Sequence, residues 1–190
     1  MTEAAGVENA KAWLVVIDMQ RIFAGPPDDW ATPGYARVSE KIRALIPLFG
    51  RRVAFTRFVA PENPQGSWVP YYRQWSFALV PPNDPLYDIT AEFETAGHPV
   101  VSRTTFGKWG AELARATEGT DEIVLAGVST DCCVISTALP AADAGIHVRV
   151  VADACAGVSE ADHERALRAM SLYAPMIETT TVEQVLAEGA

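Results

Sequence analysis

The sequence is poor in cysteine, histidine and positive charge, and it contains no long apolar run. Each shortage excludes something. The three cysteines, Cys132, Cys133 and Cys155, are an odd number, and the adjacent pair is badly placed for an unstrained mutual disulfide. A disulfide framework is therefore not expected, and a reduced, cytoplasmic setting is. The three histidines, His98, His147 and His163, form no HxxxH pair and the cysteines no CxxC, so neither a metal nor another cofactor is expected. With 15 Lys and Arg against 24 Asp and Glu, the formal charge is −9, which argues against a general binder of nucleic acid or of anionic membrane surfaces. A small anionic substrate would still need only one local cationic spot. No segment approaches the roughly 20 apolar residues of a membrane span. The opening MTEAAGVENAKA lacks a basic region, and the WLVVI run behind it is short for a signal sequence.

What is present describes one ordinary domain. The 190 residues, 49% of them apolar, suffice for a single sizeable core, and no linker or repeat divides positions 1–190. Ala12–Ile17 is a continuous apolar run, the pattern of a central parallel strand buried on both faces. Further strands are predicted at Arg52–Phe58, Pro99–Arg103, Ile123–Val128 and His147–Ala152, with an edge strand at Met176–Thr179. Helical spacing marks Tyr35–Phe49, the segment after the fourth strand, Glu160–Tyr173 and a last turn at Val182–Leu186. This alternation predicts an α/β fold, an open and mostly parallel sheet with helices on both faces. Val59–Asp88 stands apart, with six prolines among Trp68, Tyr71, Tyr72, Trp75 and Phe77. A loop of that length is usually functional, here as a lid or a subunit contact.

In such sheets ligands bind beyond the carboxyl ends of the strands. Asp18 follows the first strand, Arg103 and Lys108 the third, and Cys132–Cys133 the fourth, so a carboxylate, a cation and a thiol can converge. Ser129, Thr130 and Asp131 are good N-cap types, which predicts a helix starting there. A cysteine in its first turn would meet unpaired N–H groups that lower a thiol pKa and could hold an oxyanion. Gly127 allows close backbone approach just before the turn. Free cysteines are also common core filler, the reading preferred for Cys132 and Cys155. Pro140 lacks the N–H that would bond Ser136 and predicts a kink in this helix, with Gly145 as its stop.

The motifs VVIDMQ (Val15–Gln20), GVSTDCCV (Gly127–Val134) and VADACAG followed by His163 resemble those of the isochorismatase-like cysteine hydrolases. The resemblance runs from about Ala12 to Val185 and implies a three-layer α/β/α sandwich. It places the nucleophile at Cys133, directly before the valine, and a general base and acid at Asp18. It also implies a cis peptide before Ser129 and an oxyanion hole of N–H groups near Ser129 and Cys133. The family's lysine aligns with Arg103, followed by Phe106, Gly107 and Trp109. The nearest lysine, Lys108, is favoured as the cation on chemistry because it can share a proton, with Arg103 as its rival.

The Asp-x-His metal site of the family's nicotinamidases has no counterpart in FTRFVAPEN. The resemblance further implies a homo-oligomer, a dimer or tetramer. Candidate contacts to a small-molecule substrate are Gln20, Phe23, Arg57, Phe58, Trp68, Trp75 and Trp109, on the rule that such clefts are mostly apolar. The leading expectation is a cofactor-independent hydrolase of a small amide, ureido or carbamoyl compound, or lactam, through an acyl intermediate on Cys133. Alternatives are an isochorismatase-type vinyl-ether hydrolase, a silent binding scaffold, or a redox thiol pair.

Overall fold

Trp13–Ile17 (β1) is buried at all five positions, and a strand shielded on both faces belongs in the middle of a sheet. The computed structural model describes residues 12–25 and 30–189 and places it there. The expectations for the opening residues and for the middle of the Gly25–Gly34 loop lie outside the described residues. Six strands form the sheet: β1, Val53–Phe58 (β2), Val100–Arg103 (β3), Glu122–Val128 (β4), His147–Ala156 (β5) and Ile177–Thr180 (β6). Their order is β3-β2-β1-β4-β5-β6, and every pairing is parallel. The sheet is thus wholly rather than mostly parallel.

Helices cover both faces. Tyr35–Phe49 (α2) turns Val38, Ile42 and Leu45 onto one face, with Arg21–Ala24 (α1), Trp68–Gln74 (α3) and Val182–Glu188 (α7) on the same side. Ala111–Ala116 (α4), Ile135–Asp143 (α5) and Glu160–Ser171 (α6) cover the other. The helix ends use local chemistry. Ser159 caps α6 by accepting from the Asp162 N–H, and Thr181 and Gln184 form a reciprocal capping box on α7. Gly145, at φ +86, follows the end of α5 as expected. Among the described residues, no helix is long and apolar enough to cross a membrane.

Two departures from the sequence reading have physical causes. β5 runs four residues past Ala152, because Asp153 is satisfied there by Lys41 Nζ at 3.0 Å and by the Val182 N–H at 2.8 Å. Val59–Asp88 is not simply a loop but contains α3, whose Pro70 sits in the first turn, where its missing N–H would have no intrahelical partner. α5 continues through Pro140, and the Ser136 carbonyl is approached by another segment, described below.

Candidate active site

Asp18 is the first residue beyond β1, and its backbone lies in the left-handed region at φ +48, which Asp tolerates better than most residues. The turn is pinned from β2: the Asp18 N–H donates to Thr56 Oγ1 at 3.1 Å, and that hydroxyl donates to Asp18 Oδ1 at 2.6 Å. The other carboxylate oxygen, Oδ2, lies 2.7 Å from Lys108 Nζ, and neither side chain has any exposure. Behind this turn β4 presses against β1. A Cβ on Gly127, at φ +130, would stand 2.1 Å from the Ile17 carbonyl oxygen, so only glycine fits.

Lys108 has further to travel. β3 is separated from β1 by β2, so the segment after β3 must cross the end of β2 to reach Asp18. The ammonium passes 5.7 Å from the ring centre of Phe58, the last residue of β2, and donates to the carbonyls of Thr105 at 2.9 Å and Phe106 at 2.7 Å. The crossing segment docks on α5. The Lys108 N–H donates to Thr137 Oγ1 at 2.9 Å, and the Thr137 hydroxyl donates to the Cys133 carbonyl at 2.7 Å. At Gly107 a Cβ would come within 2.4 Å of the Ser136 carbonyl oxygen, the one that Pro140 leaves without its usual helical donor. Burial pulls the lysine pKa down, but the Asp18 carboxylate outweighs it and the net shift is upward. Arg103 does not reach the cluster; it stays partly exposed, 3.8 Å from Glu112.

Cys133 lies in a wide π-helical turn, Thr130–Val134, that opens α5 after a cis Val128–Ser129 peptide. The N-cap expected from Ser129, Thr130 or Asp131 is not made by a side chain. Those groups bond elsewhere: Thr130 Oγ1 lies 2.8 Å from His163 Nδ1, and Asp131 Oδ1 accepts from the Val158 N–H at 3.0 Å. The Ser129 carbonyl accepts from the N–H groups of Cys132 and Val134, on either side of Cys133. The thiol does not have the lowered pKa expected from a helix start. Burial pushes it well above its usual value; Lys108 opposes that shift, and Asp18 adds to it by charge and by a side-chain hydrogen bond. Cys133 therefore rests as a neutral thiol beside a buried carboxylate.

Cys133 opens onto a cavity of about 310 Å³. Its aromatic wall is Phe23, Trp30, Phe58, Tyr71, Trp75 and Phe106; Ala31, Thr32, Ser129, Cys132 and Val158 complete the lining. Phe23, Phe58 and Trp75 are thus where the sequence reading put them. Gln20 is not: its amide donates to the carbonyls of Phe58 and Tyr87 and accepts from the Phe58 N–H, which uses it up as an internal brace. Trp68 packs behind the wall against Tyr71 and Phe106, at ring-centre distances of 5.2 and 5.5 Å. Trp109 packs against the core on the α4–α5 side. Arg57 donates to the Pro82 carbonyl. Cys132, read as filler, is half-buried on the cavity surface. Trp30 and Val158 belong to no motif noted in the sequence, and only the fold brings them to the cavity. Among the described residues, no group of His, Cys, Asp and Glu side chains could hold a metal ion.

Comparison with known proteins bears on the family and the fold. The chain is 29% identical over 191 residues to the uncharacterized isochorismatase family protein YecD of Escherichia coli O157:H7, covering 94% of this chain and 96% of that one. It is 44% identical over 66 residues to isochorismatase domain-containing protein 2 of Xenopus laevis, a match spanning 35% of this chain but only 31% of that protein. Among solved structures, a cysteine hydrolase from Pseudomonas syringae pv. phaseolicola 1448A superposes with a TM-score of 0.82 at 19% identity, covering 94% of this chain and 92% of that one. N-carbamoylsarcosine amidase from Thermoplasma acidophilum superposes with a TM-score of 0.72 at 23% identity, covering 91% and 97%. At those identities the likeness shows the fold, the three-layer arrangement of a parallel sheet between helices. The Isochorismatase domain model matches residues 12–184, nearly the whole chain, and the protein belongs to the isochorismatase family.

Proposed function

We propose that this protein is a hydrolase that cleaves the C–N bond of a small amide, ureido or carbamoyl compound, or lactam, with Cys133 as nucleophile. The observation that carries the reading is the fully shielded Asp18–Lys108 pair, 2.7 Å apart, beside a buried thiol that faces a cavity. A carboxylate kept dry next to a neutral thiol is a base waiting for a proton. As Cys133 Sγ attacks the substrate carbonyl carbon, the thiol proton passes to Asp18 and the carbonyl oxygen takes up the negative charge. The Cys133 N–H, which the Ser129 carbonyl passes over, is the donor best placed to hold that oxyanion. Collapse of the intermediate breaks the C–N bond, and Asp18 returns the proton to the departing amine. Water, deprotonated by Asp18, then attacks the thioester, and Cys133 leaves and regains its proton. Lys108 stays charged throughout, holding Asp18 in place and balancing its charge.

The amidase among the structural neighbours supports this class of reaction. Intact-mass analysis of the wild type mixed with a panel of small amides tests it. An acyl adduct on Cys133, lost in Cys133→Ser and slowed in Asp18→Asn, is the expected result. Turnover that survives Cys133→Ser would overturn the covalent route.

A further inference from the structure

The cavity wall also specifies what can lie beside the bond that is cut. Its aromatic members are Phe23, Trp30, Phe58, Tyr71, Trp75 and Phe106, and no described lining residue carries a formal charge. Of the cations nearest in sequence, Arg21 and Arg73 are exposed and neither lines the cavity, and the other three are engaged elsewhere. Lys108 is 2.7 Å from Asp18 with no exposure, Arg57 donates to the Pro82 carbonyl at 2.9 Å, and Arg103 stands 3.8 Å from Glu112. The chain as a whole carries −9.

We propose that this site selects amides whose non-reacting part is uncharged and apolar, best a single flat ring, and rejects those carrying a carboxylate there. The inference rests on the hydrolase reading above and adds the substrate class to it. A carboxylate entering the cavity loses its hydration, and only a cation or several donors could restore what it loses. The wall offers ring surfaces instead, and the face of an aromatic ring is negative. A flat uncharged group gains from the same surfaces by removing apolar area from water. The cluster is organised around Trp30, whose ring centre lies 6.1 Å from Phe23, 5.8 Å from Phe58 and 6.2 Å from Trp75. Such mutual packing fixes the wall before a substrate arrives. A volume of about 310 Å³ gives room for a guest of one ring and a short substituent.

The test uses matched pairs that differ only in charge: benzamide against 4-carboxybenzamide, and phenylurea against 4-carboxyphenylurea. Wild-type turnover is measured for each, together with equilibrium binding to Cys133→Ser, read by quenching of tryptophan fluorescence. The neutral member of each pair is expected to exceed the anionic one about tenfold or more in both readouts, the cost of an unpaired charge against apolar walls. Val158→Arg places a cation on the rim at a residue 54% exposed, so the fold is untouched, and should narrow the gap. Equal or reversed preference overturns the proposal, as does failure of either neutral compound to bind, and a gap unmoved in Val158→Arg counts against charge as its cause. Binding preference without turnover of any amide would instead overturn the hydrolase reading and leave the selection standing.

Discussion

Asp18 and Cys133 stand beyond the ends of two central strands and Lys108 reaches them from the segment after the edge strand β3, all three held by bonds between polar atoms, whereas Trp30, Tyr71 and Trp75 come from the segments between strands and touch one another mainly through ring edges and faces. In the first region each contact is directional: Thr56 grips Asp18 twice, and Thr137 ties Lys108 to the Cys133 turn. In the second, Trp30 meets Phe77 at 5.2 Å and Tyr71 at 5.9 Å with tilted or edge-on rings, and most members are half-buried. The difference teaches what each region can tolerate. A buried polar cluster loses heavily if any partner is removed, because the others are stranded without water. An aromatic wall can lose a ring and still exclude water, so it is free to vary in shape.

The sharpest separation should come from the two adjacent thiols. Cys133→Ser is expected to lower kcat/KM on the order of 10⁴-fold or more while the unfolding midpoint barely moves. Cys132→Ser, changing only the cavity surface, should stay within about tenfold, the cost of one altered substrate contact. Similar losses in both would erase the distinction between cluster and wall.

Stability should divide the regions next. Lys108→Met leaves the Asp18 carboxylate buried and unpaired, and urea unfolding should show a loss of about 3–5 kcal/mol. Trp75→Ala, at a half-buried ring, should cost about 1–2 kcal/mol from lost apolar burial. The double variant Asp18→Asn with Lys108→Met should recover part of the first loss. A smaller effect is expected for Thr137→Val, which removes the strut between Lys108 and Cys133: kcat should fall roughly 10- to 100-fold with KM little changed, and Thr137→Ser should restore most of it. A Val variant as active as the wild type would show that Gly107 docking alone positions the lysine.

The smallest effect is common to both regions and appears only in alkali. Burial pushes the Cys133 thiol well up and the Cys155 thiol to about 12, and it pushes the Tyr71 and Tyr87 phenols to about 12. These groups stay neutral in the folded chain at pH values where the unfolded chain has ionised. Their contribution is complete below the ordinary thiol and phenol range and is lost as pH rises toward about 12. The urea midpoint should therefore fall steadily above about pH 9, and Cys155→Ala should flatten the fall. A midpoint constant to pH 11 would contradict the shielding of these groups.

Much of this was decided along the chain. The run at β1 announces a strand buried on both faces, because no half-exposed strand is apolar at every position. The strand–helix alternation dictates a parallel layered fold, and the motifs around Asp18 and Cys133 put a carboxylate and a thiol at neighbouring strand ends. These are short-range properties, set by period, turn chemistry and burial of a few consecutive residues. What tertiary structure alone decided is which distant groups meet. Arg103 stands at the strand end where the motif asks for a lysine, yet Lys108 arrives because Gly107 seats on the Ser136 carbonyl and Thr137 takes the backbone N–H. Gln20 looks like a substrate contact in its motif and is an internal brace, since the Phe58 and Tyr87 carbonyls happen to lie within reach. Cys133 has the local sequence of an activated thiolate, yet burial pushes its pKa up by more than the Lys108 charge pulls it down. Each outcome has one cause: the energy of a polar side chain depends on what the fold packs around it, and no local pattern carries that information.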